Sequence, residues 1–257
     1  MKKIVWLLLL ISHLSYSQYI KAEYVEVLST NIVSEIKNYL YVDTVKNKSI
    51  YLKNPSEFKI IKDTITQESD IFAFPGRITK FDYLSLEPLK KEIFIYKDNL
   101  KKIYKIEDTY PDLQWKLVNE TKKIQDIEVF KAVTTYRGNT WEVWYAPSIP
   151  YGFGPWKLHG LPGLIIEAND KKKSVRYYLT GLSQTDSCND CVYEYNKDIK
   201  DISLKEFLLL NDDNINLKSR RELGRDEILV SEKVNFLIHE LEFEFPIKFS
   251  WEDESKK

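Results

Sequence analysis

Apolar and polar residues alternate with period two along much of the chain, the pattern of strands buried on one face. The alternation covers residues 19–27, 39–42 and 50–52, returns at 58–61, 71–74, 92–96, 102–106 and 115–118, and is strong at 129–136, 140–145, 164–168 and 175–179. Asp, Asn, Lys and Gly cluster between these runs, as short antiparallel connections require. Two hairpins stand out. One joins 129–136 to 140–145 through Arg137, Gly138 and Asn139, where Gly138 supplies the positive φ of a tight loop; the other joins 164–168 to 175–179 across Asn169, Asp170 and Lys171. A last run, 241–245, meets Pro246, which ends its pairing or confines it to an edge.

Helical signals are mostly C-terminal. Ser203 and Glu206 have the spacing of a capping box ahead of the apolar Phe207, Leu208, Leu209 and Leu210, and Gly224 is a stop signal nearby. The pattern predicts a mainly β chain: a curved antiparallel sheet or half-open barrel with a minor helical segment near the C-terminal part. The curvature is read from Gly/Pro bends and by analogy with exported lipid-carrier folds. With no internal repeat and no Ser/Gly/Pro linker, residues 18–257 read as a single domain.

The first seventeen residues break the pattern. Lys2 and Lys3 precede an unbroken apolar run from Ile4 to Ile11, and Ser15-Tyr16-Ser17 places small residues where a signal peptidase cuts. The run is about half the roughly 20 residues that cross a bilayer as a helix, so it predicts a signal peptide over 1–17 and export to the periplasm or beyond. No cysteine follows the cut, so the mature chain is expected to be unlipidated and without a membrane span. Of 38 basic and 39 acidic residues, the leader takes two lysines (38 − 2 = 36), leaving a formal charge of 36 − 39 = −3. That balance excludes a nucleic-acid binder recognised by bulk positive charge. Aromatic residues at 14% exclude a chain too poor in apolar surface to fold.

Residues 137–167 differ from the rest. Five of the eight glycines (Gly138, Gly152, Gly154, Gly160 and Gly163), four of the nine prolines and three of the six tryptophans fall there. The prolines restrict the residues before them and the glycines open conformations closed to others. A rigid, aromatic-lined connection is expected, with Trp141, Val143 and Tyr145 on one strand face and Trp144 on the other.

Within this segment Gly160, Leu161, Pro162, Gly163, Leu164 and Ile165 spell GLPGLI. The chain resembles the GLPGLI family, exported proteins of the Bacteroidetes named for that run. The likeness extends through Trp144-Tyr145-Ala146-Pro147-Ser148-Ile149-Pro150, Gly154-Pro155-Trp156-Lys157, Lys131-Ala132 and Arg137-Gly138. The chain departs from the family's pattern at Val129, where many members carry cysteine, and in its Cys188/Cys191 pair. The resemblance implies an exported, mostly β protein, sometimes encoded near outer-membrane transporters, which makes such a transporter or another envelope protein the expected partner. It implies no catalytic residue.

Candidate chemistry is sparse. After removal of the leader only His159 and His239 remain, too few for a multi-histidine zinc site, and neither a Walker A, a G-x-S-x-G nor an H-E-x-x-H motif occurs. No metal or cofactor is expected. His159 is placed to bind a ligand or to hydrogen-bond the bend, and His239 reads as structural. Cys188 and Cys191, in an oxidising compartment, read first as a disulfide. A redox or metal role is less favoured, since Asp186 and Asp190 are poor thiolate stabilisers.

Trp141, Trp144, Tyr145, Trp156 and His159 are therefore the candidate surface for a small hydrophobic ligand or a protein partner, with burial in the core as the plainer alternative. The function expected is a non-catalytic periplasmic or secreted binding or accessory protein. The alternatives are a hydrolase or thiol redox enzyme using His159 or Cys188/Cys191, and a structural envelope component.

Overall fold

The computed structural model describes residues 18–29, 32–53, 59–63, 83–99, 102–188 and 199–207. The leader, Phe58, the runs at 71–74 and 241–245, Cys191, residues 208–210, Gly224 and His239 lie outside the described residues.

Among the described residues thirteen strands follow one another: β1 (Tyr19–Ser29), β2 (Ile32–Asp43), β3 (Lys48–Lys53), β4 (Lys59–Asp63), β5 (Tyr83–Glu87), β6 (Glu92–Asn99), β7 (Lys102–Glu107), β8 (Lys116–Ile124), β9 (Ile127–Tyr136), β10 (Asn139–Ala146), β11 (Leu164–Asp170), β12 (Val175–Thr185) and β13 (Ile199–Ser203). All belong to one open sheet in the order β13-β7-β6-β5-β3-β2-β1-β12-β11-β10-β9-β8, with β4 pairing β2 to the side. Pairing is antiparallel except between β13 and β7. The expected mainly β architecture, an open sheet with a short helical piece near the C-terminal part, is the one observed.

Chain length forces this sheet to curl. β7 and β8 stand ten strand spacings apart along the sheet order, about 48 Å if flat at roughly 4.8 Å each. Only residues 108–115 connect them, and nine Cα steps span at most about 32 Å. The two regions must therefore approach across the face of the sheet, and the connector bridges them.

The inner face follows from the pleat. In β1, Ile20, Ala22, Tyr24, Glu26 and Leu28 are buried while Tyr19, Lys21, Glu23 and Val25 are half-buried. Register sets Ala132, Val143, Ala168, Tyr177, Glu26 and Ile36 side by side across six strands, and all six are buried. Glu26 keeps its carboxylate in this row because Asn38 Nδ2 donates to it at 2.7 Å and the Tyr177 hydroxyl at 3.2 Å, with Lys53 Nζ at 3.7 Å. A buried charge without such partners costs several kcal/mol. The outer edge at β8 is studded with Lys116, Glu120, Lys122 and Lys123, which discourages pairing with a further chain.

Local details sharpen two expectations. The first hairpin turns on Arg137 and Gly138 alone, both at positive φ (48° and 79°), and Asn139 already belongs to β10. Ser203 and Glu206 form the capping box, with Ser203 N–H donating to Glu206 Oε2 at 3.0 Å and Glu206 N–H to Ser203 Oγ at 3.3 Å. The helical turn they start covers residues 204–207.

Candidate functional site

Residues 147–163, between β10 and β11, fold over the inner face. Phe153, Gly154, Pro155, Trp156, Lys157, Leu158 and His159 are all buried. Trp156 is held at φ 55°, a conformation that is strained for a bulky residue and costs on the order of 1–3 kcal/mol. Packing offsets it: the ring centroid lies 5.5 Å from that of Trp141 and 5.6 Å from that of Tyr136, and Lys157 Nζ sits 5.0 Å from the same ring.

Beneath this loop the connector delivers a carboxylate. Asp108 opens the 108–115 segment with its N–H donated to the Ile93 carbonyl at 3.2 Å. Its side chain, 2% exposed, meets Lys157 Nζ at 2.9 Å, also 2% exposed, and accepts from the Arg137 guanidinium. Burial alone would raise the Asp108 pKa, but Lys157 and Arg137 outweigh it and hold the carboxyl below its ordinary range. Three distant segments, the connector, the β9–β10 turn and the loop, are thus tied at one charge cluster.

Next to it, His159 is fixed at both ring nitrogens. Nδ1 lies 2.9 Å from the Lys157 carbonyl oxygen and Nε2 lies 2.7 Å from the Tyr110 hydroxyl. A carbonyl only accepts, so Nδ1 carries the proton, and the Tyr110 hydroxyl donates to Nε2. Burial lowers the His159 pKa, and burial together with Asp112 raises that of Tyr110. The pair therefore rests neutral on both sides, the wrong bias for a general base drawing a proton from tyrosine. Trp115 Nε1 donates to the His159 carbonyl at 2.8 Å, closing the bend.

A folded-state pKa below the ordinary 6.5 means that the unfolded chain takes up the proton first. Stability contributed by neutral His159 is therefore complete above that value and falls away as pH drops towards the folded pKa. Thermal melts between pH 7.5 and 5 are expected to show this loss in the parent and a flatter profile in His159→Gln. Parallel profiles would remove the assignment.

The connector and the loop enclose a cleft of about 410 Å³. Tyr110, Leu113, Phe153 and Leu161 wall it with apolar surface, while Asn47 and Asp112 add polar groups and Pro88 forms part of its margin. Gly152 lines it too, and a Cβ there would meet the Leu161 carbonyl oxygen at 2.7 Å, so the backbones on this side are already in contact.

The expected aromatic recognition surface is corrected by this arrangement. Trp141, Tyr145 and Trp156 are core residues, 4%, 5% and 8% exposed, because the loop lies on the strand face they share. Trp144 points to the opposite face as expected and is half-buried, with Lys122 Nζ 4.5 Å and Lys131 Nζ 5.9 Å from its ring centroid. His159 lines the cleft but spends both nitrogens on the fold, the bend-holding role. Within GLPGLI, Leu161, Leu164 and Ile165 are buried, Gly163 is packed against backbone, and Gly160 and Pro162 are exposed. Cys188 is disulfide-bonded and buried beside Tyr41, Leu52 and Tyr83; Cys191 lies outside the described residues.

Asp108, Tyr110, Asp112, Leu113 and Trp115 are site residues the sequence reading did not single out. Their one signal was a connector of eight residues with Pro111 inside it, too long for a hairpin turn. Among the described residues no group of three or more His, Cys, Asp or Glu is placed to hold a metal ion, and no helix is long and apolar enough to cross a membrane.

No family model and no curated protein matches the chain. Among solved structures, PNGF-II is similar in two crystal forms, P21 at 20% identity and C2 at 18%, each with a TM-score of 0.52 over 75% of this chain. The match spans only about a third of PNGF-II, 33% and 32% of its length, and shows a shared fold. An uncharacterised conserved protein from Thermus thermophilus matches at 11% identity with a TM-score of 0.40, over 74% of this chain and 92% of that one, too remote to carry an argument.

Proposed function

We propose that the chain is a non-catalytic binding protein of the cell envelope and that the cleft between the connector and the loop is its ligand site. The observation that carries the reading is the build of that cleft: a hollow of about 410 Å³ on braced backbone, where apolar Tyr110 and Leu113 surface stands beside a comparable share of polar surface. The chemistry it fits is a small, partly apolar ligand whose hydrogen-bond donor faces the Asp112 carboxylate and the Asn47 amide. Tyr110 presents its oxygen as an acceptor, since its proton points to His159.

The apolar leader and the GLPGLI-like run support an exported setting, the periplasm or the cell surface, in which such a protein would hand its ligand to an envelope partner. Leu113 is half-buried at the cleft wall, so Leu113→Trp would obstruct the cleft with little change to the core. Native mass spectrometry of protein purified from its host is expected to show a small-molecule adduct on the parent and none on Leu113→Trp, with equal melting temperatures. An adduct-free parent, or an adduct kept by the variant, would overturn the ligand site.

A further inference from the structure

His159 and Tyr110 both line the cleft, and the number of protons they share decides what Tyr110 offers to it. The imidazole Nδ1 is committed as a donor to the Lys157 carbonyl at 2.9 Å. A proton taken from solvent therefore has one place to go, Nε2. That nitrogen faces the Tyr110 oxygen at 2.7 Å, and once protonated it donates where it used to accept. Two donors cannot share one line, so the hydroxyl accepts from Nε2 and turns its own proton to the side away from the imidazole. Neutral His159 thus makes Tyr110 an acceptor towards the cleft, and charged His159 makes it a donor.

The change needs only this rotation. Nδ1 keeps its carbonyl partner in both states, and the two rings cross edge-on with centroids 5.1 Å apart at 74°. Trp115 Nε1 holds the His159 carbonyl at 2.8 Å, and Gly160 N–H donates to the Gly152 carbonyl at 2.8 Å, so the backbone on either side of the imidazole is pinned. Asp112, on the connector, favours the charged ring and burial opposes it. Lys157 on the loop and Arg137 in the β9–β10 turn are paired with Asp108. Asn47 and Pro88, which the β2–β3 and β5–β6 turns bring to the cleft, carry no charge.

We propose that His159 is a positioning residue that lets acid invert the hydrogen-bond polarity of the cleft through Tyr110, so that a ligand donating to the tyrosine oxygen is held when His159 is neutral and released when it is charged. This regulation rests on the cleft being the ligand site.

Two neutral probes that differ in one donor read the inversion: 4-ethylphenol, which can donate to Tyr110, and 4-ethylanisole, its methyl ether, which can only accept. Neither titrates between pH 7.5 and 5, and neither carries a charge for the imidazolium to attract or repel. Ligand-observed NMR is expected to show the phenol preferred about five-fold at pH 7.5, the scale of one neutral hydrogen bond, and that preference lost at pH 5 as the ether tightens. A general loosening of the loop in acid would instead weaken both probes together and overturn the proposal. His159→Gln is expected to hold one ratio at both pH values, and Tyr110→Phe to bind the two probes alike throughout. Asp112→Asn is expected to keep the swing; its loss there would place the titration on the carboxylate and overturn the proposal. Nitrogen-15 spectra of the parent's imidazole are expected to show the proton on Nδ1 alone at pH 7.5 and on both nitrogens at pH 5. A parent that binds both probes in a ratio indifferent to pH sinks the regulation alone, whereas binding of neither at either pH sinks the ligand site and the regulation with it.

Discussion

Replacing Asp108 with asparagine is expected to cost about 3–5 kcal/mol of stability, the range for breaking a buried ion pair from one side. The size follows from what remains behind. Lys157 is buried as fully as Asp108, and the variant takes a full negative charge from 2.9 Å beside its ammonium. Arg137, with 12% of its side chain exposed, recovers more of its hydration, so Lys157 dominates the penalty. Adding Lys157→Met removes that buried ammonium and fills its volume with an apolar stem, and Asp108→Asn/Lys157→Met is expected to recover roughly half of the loss. Urea denaturation of the four proteins in the cycle reads both numbers. A loss below about 1 kcal/mol for the single variant would mean that the cluster is solvated and does not clamp the connector to the loop. Acid acts on the same bond: with its folded pKa below the ordinary 3.8, Asp108 stabilises fully above that value and its contribution fades as pH falls through the folded pKa.

The features legible in the sequence are those encoded by neighbours along the chain. Period-two alternation marks β1 because Ile20, Ala22 and Tyr24 face the core while Lys21 and Glu23 do not, and the Ser203–Glu206 box needs only a three-residue spacing. β5 was missed for a physical reason: Tyr83, Leu84, Ser85 and Leu86 are all buried, so both faces are covered and no alternation is left to read. β13 was missed because its parallel partner, β7, lies almost a hundred residues earlier. The aromatic segment shows the sharper limit. Its composition announced a rigid backbone and its pleat set Trp141 opposite to Trp144, but whether Trp141 faces solvent depends on where the loop docks. That is decided by Asp108 and Tyr110, from a connector that carries no motif. Residues 29 and 49 positions apart, as in Asp108–Arg137 and Tyr110–His159, leave no local trace of their pairing.

Gly163→Ala is expected to be as damaging as the charge deletion, about 3 kcal/mol or more, while Gly160→Ala, three residues earlier in the same GLPGLI run, costs about 1 kcal/mol. The two glycines are needed for different reasons. Gly160 sits at φ 90°, in the region that L side chains rarely adopt, but it is exposed, and the nearest atom to an added Cβ is Trp115 Nε1 at 3.8 Å. Its substitution carries conformational strain alone. A Cβ on Gly163 would stand 2.2 Å from the Ala146 carbonyl oxygen and 2.8 Å from Pro147 N. Those atoms are backbone at the exit of β10, where Ala146 pairs with Leu164 and its carbonyl also accepts the Ile149 N–H at 3.1 Å. No rotamer change relieves the contact, so the β10 and β11 ends must separate. That opens the hydrogen bonds of Leu164 to Ile149 and Ile165 to Phe153, at 2.9 and 3.0 Å, which seat the loop on the inner face. Thermal melts of the two alanine variants rank them, and tryptophan fluorescence of Gly163→Ala is expected to shift red as Trp141 and Trp156 gain water. Equal losses for the two glycines would place the strain in the turn alone and leave the close approach of β10 and β11 without energetic consequence.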